Sequence, residues 1–265
     1  MPSSRLRSSL GTSLAIVVVS LVLLSMIGFF APAQASVHPS SHPAIFTGAY
    51  TSTNWSGYAI TGPSGSVTDV KGSWVVPRVV CNSTETYSSF WVGIDGFSST
   101  TVEQTGTDSD CQGGTPTYYA WYEFYPNPAF VTSLTIKPGD HMYAKVVYAN
   151  SKFTITITDK TTGKTATHTQ AVSGATRSSA EWIAEAPYNG GILPLADFGT
   201  VLYGDDNTGI TSTCTAKDGS HHGPIGTFPS ASIEEITMEK SSIKEAVPTK
   251  LSSDGTSFSV NWDAP

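Results

Sequence analysis

KFTITITD, residues 152–159, alternates without a break: Phe153, Ile155 and Ile157 on one parity, Thr154, Thr156 and Thr158 on the other. Successive strand side chains point to opposite faces, so this pattern predicts a half-buried β-strand with one apolar and one hydroxyl side. HMYAKVVYA (141–149) precedes it and KTATHTQ (164–170) follows, with turn signals at Lys137-Pro138-Gly139-Asp140 and Thr162-Gly163. The same texture runs along the chain. WSGYAI (55–60), VTDVKGSWVV (67–76), SSFWVGID (88–95), TVEQTG (101–106), TYYAWYEFY (117–125) and VTSLTIK (131–137) read as strands. So do SAEWIAEA (179–186), FGTVLY (198–203), SIEEITME (232–239), SIKEAV (242–247) and TSFSVNW (256–262), the last after Asp254-Gly255. About fourteen short strands without a convincing long helix predict an antiparallel sandwich or barrel. That is too many for one flat sheet, so two stacked sheets are expected.

The first residues are of another kind. Arg5 and Arg7 precede a mostly apolar run from Leu14 to Phe30, and Ala33-Gln34-Ala35 fits a small-residue cleavage site. Residues 1–35 therefore read as a secretory signal peptide, with an uncleaved membrane anchor as the alternative. Residues 36–50 (SVHPSSHPAIFTGAY) are Pro- and Ser-rich and read as a short leader or linker. Residues 51–265 are long enough for one domain with its own core. After signal cleavage no second long apolar segment remains, so the mature chain is expected to be free of the membrane, secreted and monomeric.

Removing residues 1–35 takes two Arg and no acid, leaving 12 Lys+Arg against 21 Asp+Glu and a net charge of −9. An acidic chain without Lys/Arg clusters is not built for nucleic acid. Only 13% of residues are charged, so the surface must be mostly Ser, Thr, Asn and Gly. Such a surface gains little charge on acidification, which suits acid conditions and is equally common among secreted proteins. An oxidising compartment allows one bridge among Cys81, Cys111 and Cys214. Cys81 and Cys111 flank the WVGIDG–VEQTG region and are the preferred pair, although other pairings stay open. Asn54-Trp55-Ser56 and Asn82-Ser83-Thr84 are glycosylation sequons.

Strand parity sorts the remaining side chains. Trp91 and Asp95 share one face, while Val92 and Ile94 take the other. Trp121, Glu123 and Tyr125 share a face, opposite Tyr122 and Phe124. Glu181, Ile183 and Glu185 share a face, their carboxylates about 13 Å apart along the strand. Gln104 shares its face with Val102. Acids interleaved with Trp and Tyr usually line something, so a groove is expected. Each residue also has a plainer reading: Glu185 as a solvated rim carboxylate, Glu123 as an acceptor for a tyrosine, Gln104 as a partner for a backbone amide. Serine and zinc hydrolases have no visible equipment, because Gly-x-Ser-x-Gly and His-Glu-x-x-His are absent and His221-His222 point apart. Asp108-x-Asp110 has no EF-hand loop behind it. An enzyme here must work with carboxylates and amides.

The runs NWSGYA, GSWVVP, SSFWVGIDG, VEQTGTD, YYAWYEFYP and SAEWIAEAP resemble the ordered motifs of the glutamic peptidases, or eqolisins, over about residues 52–263. The resemblance implies an all-β sandwich of two curved antiparallel sheets of about seven strands each, a concanavalin-like jelly roll. It implies a secreted, acid-active endopeptidase acting on polypeptides without metal or other cofactor. Its catalytic pair falls on Gln104, in QTG, and on Glu185, the second acid of AEWIAE. Trp91, Asp95, Trp121, Glu123 and Tyr125 match motif positions around the family's cleft, as walls and supporting hydrogen-bonding groups. In that scheme Glu185 activates a water and the Gln104 amide steadies the oxyanion. Only residues 36–53 separate Ala35 from the first matching run. That is short beside the propeptide of the fungal members and is similar to the prokaryotic branch. Either a very short leader suffices or propeptide removal does not apply.

Two other readings compete. A glycoside hydrolase would use paired carboxylates on a Trp- and Tyr-lined sheet, but Gln104 cannot protonate a leaving group. A peptide- or carbohydrate-binding sandwich would keep the groove without turnover.

Overall fold

A computed structural model describes residues 40–48 and 50–264. The expected signal peptide lies outside them. The first strands are β1 (Phe46–Gly48), β2 (Thr51–Ser52), β3 (Trp55–Thr61), β4 (Val67–Val75), β5 (Ser89–Ile94) and β6 (Val102–Gln112). Then come β7 (Thr115–Tyr125), β8 (Phe130–Val131), β9 (His141–Ala149), β10 (Lys152–Asp159), β11 (Lys164–Gln170) and β12 (Ser179–Glu185). The last are β13 (Thr200–Gly204), β14 (Thr215–Asp218), β15 (His221–Pro224), β16 (Ile233–Lys240), β17 (Ile243–Pro248) and β18 (Ser257–Trp262). The one α-helical turn among the described residues is Asp205–Thr208. The chain is all-β and overwhelmingly antiparallel; β2 with β16 is the parallel exception among these strands.

The opening stretch behaves as its alternation requires. Phe153, Ile155 and Ile157 of β10 are buried in the core. On the other face Thr154, Thr156 and Thr158 meet Thr169, Thr167 and Thr165 of β11, hydroxyl to hydroxyl, at 3.0, 3.3 and 2.9 Å. Cross-strand pairs of this kind contribute roughly 0.2–1 kcal/mol each.

Pairing runs in two series. One is β16–β3–β12–β5–β6–β7–β8. The other is β11–β10–β9–β4, extended from β4 by β14 and β15 and, at its other end, by β13, β18 and β17. Ile233–Ile236 of β16 pair with β3, and Met238–Lys240 pair with β17. Hydrogen bonding thus joins all eighteen strands into one network.

The main apolar core takes residues from both series, among them Phe90, Val92 and Trp182 from one and Trp74, Met142 and Tyr203 from the other. Fully burying one large apolar side chain stabilises by roughly 1.5–3 kcal/mol. The approach is close at Gly72 of β4, where a Cβ would stand 2.4 Å from Val92 Cγ1 and 2.9 Å from Trp182 Cδ1. Polar tips buried in this core find partners across it. Trp74 Nε1 donates to Thr107 Oγ1 at 2.8 Å and Trp182 Nε1 to the Lys71 carbonyl at 2.8 Å. The Tyr203 hydroxyl donates to the Ile183 carbonyl at 2.6 Å. An unpaired indole or phenol there would cost about 1–3 kcal/mol.

Several expectations need amendment. Of VTSLTIK (131–137) only Val131 joins a strand; Leu134 and Ile136 are buried outside any ladder. The β14–β15 hairpin was not expected, because AKDGSHHGP carries no apolar alternation to announce it. Cys81 and Cys111 are bridged as expected, and Cys214 is free and buried. Closing a loop of 30 residues this way contributes about 2–4 kcal/mol. Asn54 is buried and its amide is engaged, so that sequon does not present a surface acceptor, whereas Asn82 is exposed. Among the described residues no helix is long and apolar enough to cross a membrane.

Candidate active site

Directly opposed residues of neighbouring strands share a face, so register sets the sequence candidates on one face, with Gln104 in the row of Glu181 and Glu185 in a row four residues along. Gln104 of β6 stands opposite Glu123 of β7 and Gly93 of β5. Gly93 in turn stands opposite Glu181 of β12. Glu185 stands opposite Ser89 of β5 and Trp55 of β3, and Ser89 stands opposite Asp108. One face of β3–β12–β5–β6–β7 therefore carries Gln104, Asp108, Glu123, Glu181 and Glu185 among Trp55, Trp91, Tyr119 and Trp121. At Gly93 a Cβ would lie 3.0 Å from Gln104 Cβ and 3.0 Å from the Trp91 ring, so a bare backbone keeps this floor open.

Gln104 Nε2 donates to Glu123 Oε2 at 2.8 Å. An amide nitrogen has two hydrogens, so one stays free, and Gln104 Oε1 is buried without a protein partner. Glu185 accepts on both oxygens: Trp91 Nε1 donates to Oε2 at 2.7 Å, His42 N to Oε1 at 2.9 Å and Asn54 Nδ2 to Oε1 at 3.4 Å. Burial pushes the Glu185 carboxyl up to about 8, against the pull of these donors. Burial, then the charge of Glu185, holds Glu123 well above the usual carboxylate range, while the Gln104 amide opposes them. Glu185 is fully buried, so its reading as a solvated rim carboxylate fails.

Asp108 clamps the next pair of aromatics. It accepts from Ser89 Oγ, from Tyr119 OH and from Trp121 Nε1. Burial raises it to about 6 against those three bonds. Strand parity alone puts Asp108 on the face of Gln104, four residues on, and that signal went unused. Tyr125 is half-buried at the edge, its ring 5.6 Å from that of His42. Asp95 departs from the group: β5 ends at Ile94 and Asp95 turns to φ 72°. Its carboxylate accepts from Arg177 N at 2.6 Å, Ser178 N at 2.9 Å and Thr176 Oγ1 at 2.9 Å, fixing a loop instead of lining the groove.

No motif announces the segment that covers this face. Ser40 exchanges backbone bonds with Tyr188, at 3.1 and 2.9 Å. The His42 carbonyl accepts from Trp55 Nε1 at 2.9 Å, and Ala44 N donates to the Gly96 carbonyl at 3.1 Å. The His42 ring lies 4.6 Å from that of Tyr188. Part of the expected leader thus crosses this face. A separate cavity of about 460 Å³ beside Tyr50, Glu235, Glu239 and Lys244 contains none of these residues.

Residues 53–261 match the sequence model described as the Peptidase A4 family. Aspergillopepsin-2 of Aspergillus niger is 32% identical over 220 residues, covering 71% of this chain and 77% of that protein. Among solved structures, aspergilloglutamic peptidase from Aspergillus niger is 30% identical with a TM-score of 0.56, over 67% of this chain and 99% of that one. Scytalido-glutamic peptidase, solved with a transition state analog inhibitor, has a TM-score of 0.66 at 24% identity, over 80% of this chain and 98% of that one. That last likeness speaks for the fold alone.

Proposed function

The chain belongs to the Peptidase A4 family and is a glutamic endopeptidase, and on that premise we propose that Gln104 and Glu185 are its catalytic pair. The observation that carries this is their support on one strand face: the Gln104 amide held by Glu123 and the Glu185 carboxylate held by Trp91. Ionised Glu185 takes a proton from a water as it attacks the peptide carbonyl, then returns a proton to the leaving amine. The free N–H of Gln104 donates to the oxyanion, and its unpartnered Oε1 holds the water. Both groups sit on strands, and a shift of about 1 Å in such a group can cost roughly a hundredfold in rate.

We read the two strand series as two curved leaves of a sandwich, with the site on the outer face of one. The chain works in acid, outside the cell, as a monomer without metal. The low charge content supports the acid reading, and so does Glu103, whose carboxyl burial keeps protonated. Family membership displaces the glycosidase and binding-module readings.

Digestion of an acid-denatured protein, from strongly acid to neutral pH, tests the pair. Glu185→Gln and Gln104→Ala should each lose at least about a hundredfold in rate with the circular dichroism spectrum unchanged. Digestion that survives both substitutions, or that EDTA abolishes, would defeat the proposal.

A further inference from the structure

Tyr119 of β7 sets one hydroxyl against two carboxyls. Its oxygen lies 2.7 Å from Asp108 Oδ2 and 2.9 Å from Asp110 Oδ2, and all three residues are buried. A phenol has one hydrogen, and an ionised carboxylate only accepts. The hydroxyl can donate to one of the two. The other contact holds only if that carboxyl keeps a proton and donates it to the phenol oxygen. The remaining partners say which carboxyl that is. Asp108 also accepts from Ser89 Oγ and Trp121 Nε1, which suits the ionised state. Asp110 takes one further donor, Ser88 N at 3.1 Å on Oδ1, and its Oδ2 is left to carry the hydrogen. Burial first, then the charge of Asp108, hold Asp110 well above the usual carboxylate range.

This cluster leads toward the site. Ser89 stands between Asp108 and Glu185 in one row of the face. The Trp121 ring lies over Gly106, where a Cβ would be 3.0 Å from Trp121 Cζ2 and 2.6 Å from Trp91 Cβ. Trp91 in turn donates to Glu185. Two further titratable groups face the cluster: Tyr87, on the segment before β5, which feels the charge of Asp110, and Glu185 of β12 across Ser89. Both are acids, and neither favours loss of the shared proton.

We propose that Asp110 is a positioning residue of the peptidase: through Tyr119 it shares one proton with Asp108, and that proton locks the Trp121 wall of the cleft in place. This rests on the catalytic reading above. With the proton present, Asp110 donates to Tyr119, Tyr119 donates to Asp108, and Asp108 holds Trp121 and Ser89 in fixed orientation. Without it, two buried carboxylates face one phenol hydrogen, one contact turns repulsive and the wall loosens. Peptide binding then weakens as pH rises, by a titration separate from that of Glu185, while the chemical step is largely spared.

Asp110→Asn tests it. The new side-chain oxygen can still accept from Ser88 N, and the new amide donates to Tyr119 at every pH. An infrared difference spectrum at about pH 6, where exposed carboxyls have ionised, should show in wild type the C=O stretch of a protonated carboxyl that Asp110→Asn lacks. In peptide hydrolysis, the wild-type KM should rise about tenfold toward the high-pH end of activity, while Asp110→Asn keeps a flat KM. Asp110→Ala, which offers Tyr119 no donor, should show the raised KM at every pH. A protonated-carboxyl band equal in wild type and Asp110→Asn overturns the proposal. So does a KM that rises with pH equally in those two proteins, or a folded Asp110→Ala enzyme with the wild-type KM. Should wild type cleave no peptide at any pH, the catalytic reading falls and the positioning role with it, and the infrared band still decides whether the proton is shared.

Discussion

Gln104 and Glu123 face each other across β6 and β7, and the amide of the first donates to the carboxyl of the second at 2.8 Å. The bond decides which way round the amide sits: nitrogen toward Glu123, oxygen toward the cleft. Glu123→Ala should release that choice, lowering kcat by about tenfold to a hundredfold with KM little changed. Glu123→Gln, which keeps an accepting oxygen, should recover most of the loss. Equal kcat in all three forms would remove Glu123 from this role.

Trp91→Phe removes the indole N–H that favours ionised Glu185. Without it the carboxylate binds its proton more tightly and the base is present only at higher pH. The acid limb of kcat/KM should therefore move up by about one pH unit, the equivalent of about 1.4 kcal/mol. A limb that stays in place, or moves down, contradicts the assignment of Glu185 as base.

Stability should be highest in acid. Glu103 is raised to about 9 and Glu185 to about 8, both mainly by burial, and Asp108 to about 6. Below the unfolded carboxylate range both states hold these protons, and the stabilisation is fully present. As pH rises the unfolded chain ionises first, so stability drains away until each folded group titrates, across a window ending near pH 9. The melting temperature should fall steadily from acid to alkali. Glu103→Gln should flatten that slope, because an amide at this buried position has no proton to lose as pH rises.

Gly72→Ala places a methyl 2.4 Å from Val92 Cγ1, between two packed series of strands. Overpacking of this kind should cost about 1–3 kcal/mol in urea unfolding, with activity per folded molecule unchanged. Stability equal to wild type would mean that the core yields there.

Alternation is local, and it was legible: Phe153, Ile155 and Ile157 point inward as their spacing says. Parity also grouped Trp121 with Glu123, and Glu181 with Glu185. Register is not local, so no spacing could say that Gln104 lies opposite Glu123 and not its neighbours. Parity fails where a strand stops, which is why Asp95, at φ 72° past the end of β5, left the group to which Trp91 belongs. The cover over the site was illegible for a different reason. Its contacts are mostly main-chain bonds, which Pro- and Ser-rich sequence neither announces nor forbids.

The Tyr203 hydroxyl reaches through the core to the carbonyl of Ile183, midway between Glu181 and Glu185. The strand that carries Glu185 is therefore braced from behind by a phenol on the other series. Across relatives, phenylalanine at that position would remove the brace while filling the same space. Its appearance should then be accompanied by compensating replacements near Ile183, so this stretch of the interior would drift over evolutionary time only in step with the active face.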